Sequence, residues 1–328
     1  MTTSPVQLGL FLDVRNPAQW RVPSDQLLAR TLEIVARAEA LGADSVWATE
    51  HHLFEDGYLS QPLTLAAAIA ACTRRVRIGT GVLVAPLRHP RHIAEQAALV
   101  DAVSGGRLEL GLGAGYVAAE FAAFGADLGR RLARTDETFA EVRRLLDEAP
   151  VGSAPVQRPI PMWLGYQGPK NAQRAGRLGA GLLTLNRGSL EPYRAALHAA
   201  GLPASAARMG GAIDLVVSRD PEAAWERIKP HYAHQVLTYL NAHAPGAEIP
   251  AGALDSRFGT GRLGVASVRL SVLTPDEAVA EICRRIAGLP VVHVYFWASI
   301  ANMPADLVDE HIELLFGEVA PRVRSAGI

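Results

Sequence analysis

Residues 7–12 read QLGLFL, residues 25–43 read DQLLARTLEIVARAEALGA and residues 44–50 read DSVWATE. The first and third are short strand-like runs, and the second carries apolar residues at helical spacing with Gly42 near its end. A strand, a helix and a second strand in this order predict a crossover unit, because parallel neighbours need a connection long enough to return to the same edge. The pattern recurs outward from this opening. Helical spacing over Leu63–Thr73, a strand at VRIGTGVLV (76–84), a helix at RHIAEQAALVDAVS (91–104) and a strand at RLELGLGAG (107–115) continue it. After the helical stretch 131–149, the strand-like runs PMWLG, AGLLTLN and GGAIDLVV alternate with helices near 170–178, 190–200 and 221–242. A helix over 275–287, the strand VVHVYFW and a final helix near Pro304 close the series. Eight strands separated by helices predict an α/β protein of a single (β/α)8 barrel spanning 1–328. The Gly-, Ala- and Pro-rich segment 243–268 breaks the rhythm before the last helix and strand, and is expected to be a lid insertion over the active face.

Composition narrows the class. Of 328 residues, 49% are hydrophobic and 20% charged, and 32 basic against 33 acidic residues leave a net charge of −1. Such a balance argues against nucleic acid or a membrane surface as partner. Cys72 and Cys283 are too few for a disulfide framework or a four-ligand zinc site. The opening MTTSPVQLGLFLD lacks the basic start and apolar core of a signal peptide, and no apolar run reaches bilayer length, so a cytoplasmic protein is expected.

Chemistry in a barrel of this kind is sought where strands end. The second strand runs into Glu50, His51 and His52, placing an acid and two imidazoles at the mouth, where imidazole can donate, accept and shuttle protons near neutral pH. Gly79 and Gly81 weaken the third strand unless a ligand or another backbone must approach. The fourth ends GLGAG (111–115), and no helix opens after it with the spacing of a dinucleotide fingerprint. Its glycines, Gly113 among them, are read as clearing space for a flat ring. Gly165, Tyr166, Gln167, Gly168, Pro169 and Lys170 lead into a helix, a turn suited to an anion. Metal-ligand spacing, a nucleophile elbow and a Walker loop are all missing from the sequence, which points away from metal-based or hydrolytic chemistry.

Taken in order, EHHLFEDG (50–57), IGTGVLVAPLRHP (78–90), DAVSGGRLELGLGAG (101–115) and the Glu120–Gly125 stretch resemble the bacterial luciferase-like flavin monooxygenases. The later runs LGYQGPKNA (164–172), AGRLGAGLL (175–183), LTPDEAV (273–279) and EVAPRVR (318–324) extend the resemblance over nearly the whole chain. It implies a (β/α)8 barrel, usually a homodimer, that takes reduced FMN from a separate flavin reductase and activates O₂ to oxygenate a small organic substrate. His51 falls on the family's catalytic histidine, and Gly81–Val82 on its non-prolyl cis peptide beneath the isoalloxazine ring. The Tyr166–Lys170 turn would meet the FMN phosphate. Where bacterial luciferase carries a reactive cysteine followed by an arginine, this chain has Gly113 and Ala114, so light emission from a long-chain aldehyde is not implied. Other branches of the family use a deazaflavin coenzyme to transfer hydride, and some relatives bind flavin without turnover. All three readings make different demands on one site.

Overall fold

A computed structural model describes residues 5–148, 152–259, 261–263 and 266–326, with the backbone alone for the residues among 261–267. Strands β1 (Gln7–Leu12), β2 (Ser45–Ala48), β3 (Arg77–Thr80), β4 (Leu83–Val84), β5 (Leu108–Gly113), β6 (Met162–Leu164), β7 (Gly181–Leu183) and β8 (Met209–Ala212) come first in the chain. Three short strands, β9 (Leu215–Val217), β10 (Gly261–Leu263) and β11 (Ala266–Val268), then precede β12 (Ser271–Leu273) and β13 (Val291–Trp297). The stretch 76–84, read as one strand, is broken at Gly81–Val82, whose peptide bond is cis. Both halves pair in parallel with β5, through Ile78↔Leu108 and Leu83↔Leu112, so they occupy one place in the sheet. The order β3-β2-β1-β13-β8-β7-β6-β5-β4 with the β3–β5 pairing therefore closes an eight-membered, all-parallel barrel.

Burial on both faces explains the runs of large apolar residues in these strands. Leu8, Leu10, Val46, Ile78, Leu108, Leu110, Leu164, Leu182 and Val294 are all 2% exposed or less. The interior layer is aromatic: Trp47 stacks on Tyr295 at 5.0 Å and meets Trp163 edge-on at 6.2 Å. Gly79 belongs to this packing, since a Cβ there would lie 2.3 Å from the Trp47 ring. Its strand-weakening glycine makes room for tryptophan, not for a ligand.

Helices α1 (Ser24–Ala40), α2 (Pro62–Cys72), α3 (Pro90–Ser104), α4 (Ala118–Ala123), α5 (Arg131–Glu148), α6 (Pro169–Arg177), α7 (Leu190–Ala199), α8 (Pro221–His243), α9 (Pro275–Ile286), α10 (Ala305–Leu314) and α11 (Ala320–Ser325) alternate with the strands. Among these, no helix is long and apolar enough to cross a membrane.

The insertion is larger than the sequence suggested. GGAIDLVV divides into β8 and β9, and β9 pairs with β12 outside the barrel, so everything between them, α8 included, is one excursion. Instead of serving as a barrel helix, α8 lies over the loops after three strands. Thr238 accepts from Arg15 (2.7 Å), His234 pairs with Asp56 (2.9 Å) and His231 Nδ1 meets the Ala301 carbonyl (3.1 Å). Arg257, within the 243–268 segment, is tied down. It donates to Glu222 at the start of α8 (2.7 Å), to Glu277 at the start of α9 (3.0 Å) and to the Val272 carbonyl (2.8 Å). The Arg262 side chain lies outside the described residues.

Candidate active site

The carboxyl ends of the strands enclose a cavity of about 470 Å³ whose wall includes Phe11, Glu50, His51, Tyr58, Gly81, Val82, Gly113, Tyr116, Gly165, Tyr166, Gln167, Tyr239 and Trp297. Of the residues singled out in the sequence, Glu50, His51, Gly81, Val82, Gly113, Gly165, Tyr166 and Gln167 thus meet at one place. Gly168 and Lys170 stand beyond the wall at the start of α6.

His51 lies three residues past the end of β2, with its ring on the cavity wall and only 7% exposed. Its Nδ1 lies 2.9 Å from Glu120 Oε1, which also accepts the His52 backbone N–H at 2.7 Å. An ionised carboxylate can only accept, so Glu120 places the proton on Nδ1 and leaves Nε2 facing the Tyr116 hydroxyl, 3.1 Å away. Burial holds the Tyr116 phenol well above its ordinary value, so that hydroxyl keeps its proton and can donate to Nε2. Glu120 is fully buried and arrives from α4, on the connection after β5. The ring is boxed by Phe54 at 4.7 Å, Tyr58 at 4.9 Å and Tyr239 at 5.9 Å.

His52 turns the other way. Its Nε2 lies 2.7 Å from Glu50 Oε1, and Glu50 in turn accepts from the Val84 backbone N–H at 2.9 Å and from Arg88. This chain of bonds fastens the end of β2 to β4, the half-strand that follows the cis bond.

The glycines around Val82 make room for its side chain. A Cβ on Gly113 would lie 2.2 Å from Val82 Cγ2, and one on Gly165 2.5 Å from Val82 Cγ1. They admit the Val82 side chain between β5 and β6, and both line the cavity wall. At the rim, Gly168 has φ +80° and Pro169 occupies the first turn of α6, where the backbone N–H groups of Lys170 and Asn171 make no hydrogen bond among the described residues. Arg131, on the cavity wall beside Asn171, and Lys170 pair with no carboxylate among the described residues. The Tyr166 hydroxyl donates to Asp136 (2.6 Å), and the Gln167 amide is bonded to Thr184 (3.0 Å) and to the Leu183 carbonyl (3.3 Å).

The model of the luciferase-like monooxygenases matches residues 6–284. The chain belongs to the luciferase-like monooxygenase family. This places it among the oxidoreductases. Among relatives of this family member, 4-hydroxyprotoasukamycin monooxygenase from Streptomyces nodosus subsp. asukaensis is 34% identical over 155 residues, 47% of this chain and 40% of that protein. The match to that monooxygenase thus spans less than half of its length. The F420-dependent glucose-6-phosphate dehydrogenase of Amycolatopsis mediterranei (strain U-32) is 30% identical across 94% of this chain and 98% of its own. The crystal structure of the monooxygenase RslO1 from Streptomyces bottropensis superposes with a TM-score of 0.78 at 26% identity, covering 96% of this chain and 99% of that one. Monooxygenases and deazaflavin enzymes both stand among these neighbours of the luciferase-like barrel.

Sequence reading missed Glu120 and Tyr116 as partners of His51, although GLGAGYVAAE places them one helical turn apart directly after a strand end. It also missed Arg15, which is 1% exposed, donates to Asp13 (3.0 Å) and Asp56, and lies 4.4 Å from the Tyr58 ring and 4.7 Å from that of Tyr239. Burial raises the Asp13 carboxyl to about 6, against the pull of the Arg15 charge.

Proposed function

We propose that this protein is a two-component monooxygenase that takes reduced FMN from a separate flavin reductase and oxygenates a small organic substrate, with His51 as its acid/base or hydrogen-bonding group. The observation that carries the reading is His51 itself, an imidazole with its Nδ1 held by Glu120 and its Nε2 turned to Tyr116 beside the Gly81–Val82 floor. The donor set suits FMN. The floor of Phe11, Gly81 and Val82 is flat and apolar enough for a ring, and the unpaired N–H groups of α6 with Arg131 suit a phosphate. When bound, reduced FMN would supply the electrons that activate O₂.

The protein's own residues then have three tasks. Glu120 fixes the imidazole and stabilises its charged form, so His51, once protonated at Nε2 from solvent, can give that proton to an oxygen atom above the floor and be reprotonated from solvent. Gly81, Val82 and Phe11 support the ring, and the turn at Gly165–Lys170 receives the phosphate. The helix α8 lies over the site: Tyr239 lines the cavity and His243 stacks on Tyr116 at 4.6 Å, which limits the access of water. A homodimer in the cytoplasm is part of the same reading, with exposed Leu99 (53%) and Val103 (50%) on α3 as an apolar surface available to it.

Support for FMN over a deazaflavin comes from the monooxygenase names of two of the three neighbours and from the EHH run; the F420-dependent relative keeps the hydride-transfer reading as the rival. The test is O₂ uptake with NADH, FMN and a flavin reductase. Uptake coupled to product from a panel of organic compounds is expected only with the reductase present, and rapid NADH oxidation by this protein and FMN alone would contradict it.

A further inference from the structure

Next to the His51 cavity, and sharing Phe11, Gly81, Val82, Gly165 and Gln167 with it, lies a second cavity of about 640 Å³ under the ends of β7, β8 and β13. Its wall carries Arg187, Arg269, Arg284 and Arg285 against one carboxylate, Asp214. Two of these arginines are already committed: Arg284 is held by Glu281 (2.7 Å) and Arg285 lies 3.9 Å from the same carboxylate. Arg187 and Arg269 pair with no carboxylate among the described residues; Arg187 donates only to the Arg284 carbonyl, at 3.1 Å. Asp214 does not answer them fully, because its Oδ1 accepts from Trp297 (2.9 Å) and its burial favours the neutral form. A family member with near-zero net charge has thus gathered unmatched cations on one wall of a cavity whose other wall is the platform proposed for the flavin.

We infer that this cavity is the substrate pocket and that the substrate is a small organic anion, its acid group held by Arg187 and Arg269 while its apolar end reaches the Gly81–Val82 floor. The inference rests on the proposed function and names the substrate class. Guanidinium forks match carboxylate and phosphate oxygens in pairs, which favours binding an anionic end over an alcohol or alkane. Apolar lining by Leu183, Leu185 and Tyr295 accommodates the rest of the molecule. Because the arginines stand at an open rim, attraction should weaken with salt.

The test is calorimetric titration of the purified chain, apo and FMN-loaded, with benzoate, phenyl phosphate and the uncharged control benzyl alcohol. Wild type should bind at least one of the two anions roughly 10-fold or more tighter than benzyl alcohol, with that preference lost in the Arg187→Gln/Arg269→Gln variant and kept in Arg187→Lys/Arg269→Lys at reduced strength. Whichever anion binds tighter distinguishes a carboxylate from a phosphate ester. FMN affinity should be the same in wild type and the glutamine variant. Equal binding of anion and alcohol, or anion binding unchanged in that variant, would overturn the inference. So would a parallel loss of FMN affinity, which would assign the arginines to the cofactor. Should FMN fail to bind wild type at all, the proposed function falls while the apo titration still decides whether the pocket takes anions.

Discussion

At the scale of single residues, two adjacent histidines of identical chemistry are separated by what lies opposite them. In the loop after β2, His51 and His52 turn to opposite sides. One meets Glu120 and Tyr116 across the cavity, and the other meets Glu50 beneath β4. His51→Ala should leave the melting temperature nearly unchanged and lower turnover by roughly 10² to 10⁴. Glu120→Gln keeps the size and one hydrogen bond but removes the charge that stabilises a protonated ring. It should lower kcat more than it raises KM, and it should move the pH profile of kcat, which a purely structural role would leave in place. Turnover in Glu120→Gln with an unmoved profile would return Glu120 to a structural part. His51 was legible because a strand end can be recognised locally. Glu120 was not, since it lies 69 residues further on and meets His51 only because β5 returns α4 to the mouth of β2.

Secondary-structure elements repeat the lesson with backbone. The β3–β4 break could be read from GTGV together with the family resemblance, and the cis bond lies at Gly81–Val82. That the neighbouring glycines make room for Val82 was not legible, because their spacing along each strand says nothing of what lies across the sheet. Gly113 and Gly165 sit on β5 and directly after β6, and both clear Val82. Gly165→Ala would place a methyl group 2.5 Å from Val82 Cγ1, so it should cost about 1–3 kcal/mol by overpacking and push Val82 into the cavity, weakening FMN binding. A Val82→Ala/Gly165→Ala pair should recover much of that stability, and melting of the single and paired variants measures it. For α8, the helical period was correct but its place was not. Periodicity reports that one face is buried, and α8 buries its face on Asp56, Arg15 and Ala301 at the barrel mouth, where a sequence reader expects an outer helix.

Over the whole molecule, acid sensitivity has a legible source behind the cavity wall. His311 on α10 is fully buried, its Nδ1 accepting from Val217 N–H (3.0 Å) and its Nε2 3.2 Å from the Trp297 carbonyl, and burial lowers its pKa to about 4 from an ordinary 6.5. A depressed histidine contributes stability in full above pH 6.5 and loses it as pH falls toward 4, a loss of up to about 3 kcal/mol. Asp13, raised to about 6, acts with the opposite sign over much of that window, since its contribution is lost as pH rises. His311→Gln should therefore be less stable than wild type at pH 7 yet lose less on acidification to pH 4, as read from urea midpoints at the two values. An equal loss in both proteins would remove His311 from the account. The barrel that joins these scales was readable from alternation alone, while the choice of coenzyme depends on side chains brought together from all its strands. That choice is tested most directly by an anaerobic titration of the purified protein with reduced FMN and with the reduced deazaflavin coenzyme, followed by admission of O₂. Saturable binding of reduced FMN in preference to the deazaflavin, with O₂ consumed by the bound flavin, is the predicted result; tight binding of the deazaflavin alone, inert to O₂, would contradict it.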